Sequence, residues 1–250
     1  MLKLRPYLIT FLFLVFLFFY IFLAKPSFLW GPYGNSCLSL TFDDGLASHY
    51  NTVYPLLKQN NYSATFFIVA NLSEDIYGRE LMTKEQIIEL SEKGFEIGSH
   101  TLTHPHLTNL NEEEIESELK YSKDILQQYG IVINSVAFPY GKYDEAVLDI
   151  AKKHYINARV IYNHNFNGFF INSFGLKNDI GSDVICDYID YAKENNLWFI
   201  LVLHDVVENP SVWDTSIEDF EEILECTEKV NITVDSLAGC RDKMVNYHNL

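Results

Sequence analysis

Two neighbouring aspartates, Asp43 and Asp44, end an apolar run in the stretch "LSLTFDDGLASHY". Residues 38–42 read as a buried strand. Like charges that close repel, and burying either one costs several kcal/mol unless something neutralises it. A metal ion would do so, and the remaining chain should then supply further ligands. The stretch "SHTLTHPHL" offers them. His100 and His104 are four apart, a spacing that puts both imidazoles on one side of a helical turn. Two histidines and one carboxylate leave coordination positions open, as a catalytic metal site requires. Histidine pairs at this spacing also occur on surfaces without a metal. The Asp-Asp strand end is what tips the reading towards ligands. His106 is expected to face away, and neither His49 nor His164 follows a strand end that connects to the group.

Two more motifs follow apolar runs. In "AFPYGKYD", Pro139, Tyr140 and Gly141 make a sharp turn. It is either a plain loop or a device that aims a backbone N–H at a developing oxyanion. In "LVLHD", His204 sits where a strand leaves the core. It serves either as a satisfied structural histidine or as a proton donor.

These residues need elements to hold them. Strand-like segments are expected at 63–69, 95–98, 135–138, 156–161, 198–203 and 232–234. Helices are expected between them. Thr83 with Gln86 forms a capping box for one that ends at Gly94. Asn111 caps an acidic first turn, 112–114, in another that stops at Gly130. Others are expected over 144–154 and 184–194, and Ser216 opens the last. The run "WFILVL" is apolar on both faces, as in a covered parallel sheet. Repeated strand–helix units imply a parallel sheet, open or closed into a barrel, with its chemistry at the C-terminal strand ends. Every candidate above falls just after a strand.

The chain has 250 residues and a net charge of −16, which argues against a nucleic-acid partner. Residues 7–24 carry no charge, and as a helix they would span about 27 Å, close to a bilayer's hydrocarbon core. Lys3 and Arg5 precede them. The expected layout is a cytoplasmic tail at 1–6, a transmembrane anchor (or a signal peptide) at 7–24, a linker at 25–36 and a domain at 37–250 outside the cytoplasm. Cys37, Cys186, Cys226 and Cys240 then lie in an oxidising compartment. They form one or two disulfides, in any of three full pairings, or remain buried thiols. Asn61, Asn71 and Asn231 each begin a glycosylation sequon.

The motifs "TFDDG", "HTLTH", "PYG" and "LVLHD", in this order, resemble those of polysaccharide deacetylases, the NodB-homology family of carbohydrate esterases. The resemblance covers the chain from Cys37 towards the C-terminus. It implies an α/β fold, a distorted (β/α) barrel of about seven parallel strands, preceded here by the transmembrane helix. It implies that Asp44, His100 and His104 hold a divalent metal, most often Zn2+, with Co2+, Mn2+ or Ni2+ as alternatives. Asp43 would be the general base and His204 the acid. Pro139 and Tyr140 would place an oxyanion donor, and Leu201 and Leu203 would form the apolar pocket for the acetyl methyl. Two departures stand out. The family often has an arginine where this chain has Ala137, and a branch lacking it carries "AR" on the next strand. Arg159 in "NARV" is therefore a candidate to orient the base, against the plainer reading of a surface salt bridge. For the residue that orients His204, Asp179 is a weak candidate.

The expected function is metal-dependent hydrolysis of the N-acetyl group of N-acetylglucosamine-type residues in a cell-surface or extracellular polysaccharide, by a monomeric catalytic domain. An O-acetyl ester, another small amide, or a glycan-binding protein without turnover are the alternatives.

Overall fold

The computed structural model describes residues 29–30, 36–71, 78–161 and 170–247. Seven parallel strands run in chain order around a ring: β1 (Cys37–Phe42), β2 (Thr65–Ile68), β3 (Glu96–Ser99), β4 (Ser135–Ala137), β5 (Asn157–Ile161), β6 (Phe170–Gly175) and β7 (Trp198–Leu203). β7 pairs back onto β1 along its whole length, from Cys37 opposite Trp198 to Phe42 opposite Leu203, so the sheet is a closed barrel. Two short pieces fill its seams. Leu29–Trp30 pairs antiparallel with the start of β7, and Thr233–Val234 pairs parallel with the start of β1.

The strands alternate between two apolar layers. On β1, Leu38, Leu40 and Phe42 face outward into the large core with Leu57, Ile87 and Phe220. Cys37 instead joins Phe67, Ala137, Ile171, Trp198 and Ile200 in the small cluster inside the barrel. Around the ring lie α1 (Tyr54–Gln59), α2 (Lys84–Glu92), α3 (Glu112–Gln128), α4 (Glu145–His154), α5 (Ser182–Glu194), α6 (Ile217–Val230) and α7 (Leu237–Tyr247). The capping boxes at Thr83 and Asn111 form as their sequences predict, each with both reciprocal bonds made.

Two elements differ from the sequence reading. β6 was not expected, because Asn172 and Ser173 interrupt its apolar pattern. Both are buried, and Ser173 Oγ donates to Val160 O on β5 at 3.0 Å. The final short strand expected at 232–234 does form, as the seam piece Thr233–Val234 beside the start of β1. The helix opened by Ser216 is not the last, since α7 follows and closes the N-terminal mouth. There Glu96 accepts from Thr65 Oγ1, Ser135 Oγ and the Ala238 N–H. Its carboxylate at a helix N-terminus also suits the helix dipole.

Cys37 bonds to Cys240, tying β1 to α7, and Cys186 bonds to Cys226, tying α5 to α6. The second bridge closes a loop of 40 residues. Its removal by Cys186→Ser with Cys226→Ser should cost about 2–4 kcal/mol, or about 4–16 °C in Tm, chiefly through the freed unfolded chain. A thermal melt that does not move on this substitution would contradict the pairing.

The expected tail at 1–6, the anchor at 7–24, the linker except residues 29, 30 and 36, His164 and part of the Asn71 sequon lie outside the described residues. No helix among the described residues is long and apolar enough to cross a membrane.

Candidate active site

The inward row of β1 is Cys37, Ser39 and Thr41, and Asp43 continues it at 3% exposure. Asp44 would then point outward, away from its neighbour. It does not, because the strand breaks there: Asp44 has φ 76° and Gly45 φ 75°. The break thus begins on the aspartate itself, not only on the glycine. A left-handed aspartate is strained by about 1–3 kcal/mol, held here by the surrounding barrel.

β3 delivers His100, whose Nδ1 lies 2.8 Å from Ala137 O. A proton on Nδ1 leaves the Nε2 lone pair free for a ligand. His104 reaches the same point without a helical turn, contrary to the spacing argument. The segment is irregular, with Thr101 at φ 70° and His104 at φ 60°, and the His104 N–H donates to Thr101 Oγ1 at 3.0 Å. His100 Nε2 and His104 Nε2 lie 3.5 and 3.4 Å from Asp44 Oδ1. One ligand atom from each of Asp44, His100 and His104 falls within 4.8 Å of the others.

This group fits a divalent cation. Asp44 Oδ1 is buried and accepts no hydrogen bond, a condition that costs about 1–3 kcal/mol if nothing compensates it. Burial, with His100 beside it, pushes the His104 imidazole down to about 4. A neutral imidazole is the form that binds metal.

Asp43 sits beside the group with a different partner. Arg159 Nη2 donates to Asp43 Oδ2 at 2.6 Å, and both side chains are buried. Burial alone would raise the Asp43 carboxyl, but the Arg159 guanidinium, with His100 and His204, outweighs it and holds the carboxyl below its ordinary value. Arg159 is no surface residue. Its β5 position pairs in register with Ala137 on β4, and its guanidinium lies over the Phe67 ring at 5.1 Å. A small residue on one strand and a long cation on the next share one level of the barrel.

The other expected residues divide. Tyr140 is left-handed at φ 59° in the turn Pro139–Gly141, and its half-exposed ring borders the cavity. His106 is outside the ligand group, yet it does not simply turn away: its ring stacks on Tyr140 at 3.8 Å. His204 follows β7 and borders the same cavity. Its buried Nδ1 has no hydrogen-bond partner, and Asp179 is exposed and makes no bond to it. Leu201 and Leu203 do not line the cavity. Both are buried in the outer core, because the inward positions of β7 are Trp198, Ile200 and, by alternation, Val202. The apolar walls are Phe138, Ile161 and Trp213 instead.

Sequence reasoning missed three contributors. His49 is fully buried, and its Nε2 lies 2.8 Å from His204 O, so it bears on the strand end that carries His204. Arg79 and Trp213 border the cavity, which holds about 540 Å³. A tryptophan in the polar stretch "ENPSVWDT" was a usable signal; nothing local marked Arg79.

A closed (β/α) barrel with a carboxylate and two histidines converging at its C-terminal mouth defines the class. A family model described as polysaccharide deacetylase matches residues 31–158, just over half of the 250-residue chain. The chain belongs to the polysaccharide deacetylase family. It is 31% identical over 114 residues to the peptidoglycan-N-acetylglucosamine deacetylase of Bacillus cereus, covering 45% of this chain and 39% of that protein. It is 26% identical over 182 residues to chitin deacetylase 1 of Cryptococcus neoformans, covering 68% of this chain and 37% of that one. The chain thus spans about two fifths of the length of these curated relatives. Among solved structures, the Xyl-CE4 domain of a multidomain xylanase from the hindgut metagenome of Trinervitermes trinervoides superposes with a TM-score of 0.63 at 19% identity, over 84% of this chain and 91% of that domain.

Proposed function

We propose that this protein is a metal-dependent deacetylase that hydrolyses the N-acetyl group of N-acetylglucosamine-type residues in a cell-surface or extracellular polysaccharide. The carrying observation is the convergence of Asp44, His100 and His104 next to an ionised, arginine-held Asp43 in one cavity. A binding protein needs no such base. The kinship with a peptidoglycan and a chitin deacetylase supports the substrate class.

Asp44, His100 and His104 would hold the metal, which when bound supplies Lewis acidity towards the acetyl carbonyl and a water of lowered pKa. Asp43 accepts the proton of the attacking water. Arg159 keeps that carboxylate ionised and aimed. The Tyr140 backbone N–H donates to the oxyanion of the tetrahedral intermediate. His204 gives a proton to the departing nitrogen, so a free amine and acetate leave. Phe138, Ile161 and Trp213 supply the apolar surroundings that Leu201 and Leu203 do not. The test is acetate release from N-acetylated glycans, with and without zinc. Release that is equal in chelator and in zinc would refute metal dependence.

The chain would act outside the cytoplasm, anchored by residues 7–24 with the N-terminus inside. The uncharged run behind Lys3 and Arg5 supports this, as do two disulfides, which persist in oxidising compartments. Protease added to intact cells should digest the domain while the protein remains membrane-bound. A released chain beginning near Lys25 would mean a cleaved signal instead.

A further inference from the structure

Trp213 is half-exposed at the mouth of the cavity, at 46%, with its ring 6.1 Å from that of His204. An exposed tryptophan on a loop is ordinary when the loop is loose. This loop is fastened. Asp214, next to it and 3% exposed, accepts from Arg79 Nη1 at 2.7 Å and Nη2 at 3.2 Å. It also accepts from the Ser211 N–H at 2.9 Å and from Ser211 Oγ. The Asn178 N–H donates to Val212 O at 3.0 Å, and the Thr215 N–H to Asp205 O at 2.9 Å. Lys177 Nζ lies over the Trp213 ring at 4.5 Å. A largely buried bidentate ion pair spanning 135 positions is a costly way to hold a surface loop. What it fixes is one indole plane beside the acid-bearing strand end.

On the other side, Tyr140 is equally exposed, stacks on His106 and lies 4.8 Å from the His104 ring. Two rigid aromatic planes therefore flank the carboxylates, one on the His104 side and one on the His204 side. The cavity of about 540 Å³ between them exceeds what a single N-acetylhexosamine fills. β-Linked pyranose rings present flat C–H faces, which pack on aromatic planes, while their hydroxyls stay in water.

We infer that Trp213 is a specificity residue, stacking on a sugar of the β-linked chain beside the one that loses its acetyl group. Arg79 is a positioning residue, acting through Asp214 on Trp213. This inference rests on the deacetylase reading above and names the residue that grips the neighbouring sugar of its chain.

The experiment uses the full chain loaded with zinc. It measures kcat/KM for acetate release from N-acetylglucosamine and from its dimer, trimer and tetramer in both β-1,4 and β-1,6 linkage. In at least one linkage, kcat/KM should rise about tenfold or more from the monosaccharide to the tetramer, the size of one good stacking contact. Trp213→Ala should flatten that rise to less than about threefold, mainly through KM, and Trp213→Phe should restore most of it. Arg79→Ala should flatten it as well. Calorimetry on the metal-free chain should show the tetramer binding about tenfold more weakly to Trp213→Ala. A flat profile in the unsubstituted chain overturns the inference, as does a rise that survives Trp213→Ala. Turnover of 4-nitrophenyl acetate without any oligomer turnover overturns it too, while leaving a metal-dependent esterase. Failure on every substrate, 4-nitrophenyl acetate included, would overturn the deacetylase reading itself.

Discussion

Replacing His100 or His104 with alanine should remove the metal and the turnover together. Each imidazole approaches Asp44 Oδ1 at about the distance two ligands of one ion keep, 3.5 and 3.4 Å. Losing either leaves two ligands, and two do not hold a divalent ion in a site that must also admit water and substrate. Acetate release should fall by about 10³-fold or more, since the charge stabilisation lost is worth several kcal/mol. Metal content by elemental analysis should fall in parallel. His106→Ala is the control. That ring touches Tyr140, not the ligand group, so metal content should hold and the rate should change by less than about tenfold, one stacking contact's worth. A His104→Ala protein that keeps a full complement of metal would remove His104 from the ligand set.

The candidate site was legible because its residues interrupt hydrophobic runs. Asp43, Asp44, His100, Tyr140 and His204 each follow a strand whose apolar letters mark it, and a parallel barrel gathers such ends at one mouth. Arg159 was legible only through the family resemblance, which implies an arginine where this chain has Ala137 or, in a branch lacking it, one on the next strand; the register of β4 and β5 puts the two side by side. What failed was whatever depended on parity or distance. "WFILVL" is apolar at every position, so nothing in it reveals which residues face inward, and Leu201 and Leu203 were assigned to the wrong side. β6 hid because the interior of a small barrel accepts Ser173, which reads as a loop residue outside that context. His104 was placed on a helical turn, when two left-handed residues bring it home instead. The Arg79–Asp214 pair spans 135 positions and leaves no local trace.

The Asp43–Arg159 pair should separate rate from stability. Asp43→Asn removes the proton acceptor but none of the three ligands, so metal content should hold while the rate falls about 10²–10⁴-fold. Asp44→Asn should instead weaken metal binding itself. Arg159→Ala leaves Asp43 buried beside the metal group without its cation, and the rate should drop with the metal retained. The sign of the pH effect follows from the pair. Arg159 holds the Asp43 carboxyl below its ordinary value against the opposing effect of burial. Without the guanidinium the carboxyl protonates more readily, so the acid limb of the kcat/KM profile should move to higher pH. Arg159→Lys should recover only part of the rate, because an ammonium does not reproduce the planar fork of a guanidinium. Stability should run the other way when both charges go. Arg159 is 1% exposed, and its Nε and Nη1 have no hydrogen-bond partner. Burying such a pair costs several kcal/mol that its attraction need not recover, and apolar replacements of similar volume are often neutral or stabilising by about 1–4 kcal/mol. Arg159→Met combined with Asp43→Leu should therefore melt no lower than the unsubstituted protein while losing turnover. Arg159→Ala alone should melt well below it, because an unpaired buried carboxylate costs about 3–5 kcal/mol. If the double variant melts below the unsubstituted protein, the pair is holding up the barrel. If it melts as high or higher, the charges serve the chemistry and not the fold.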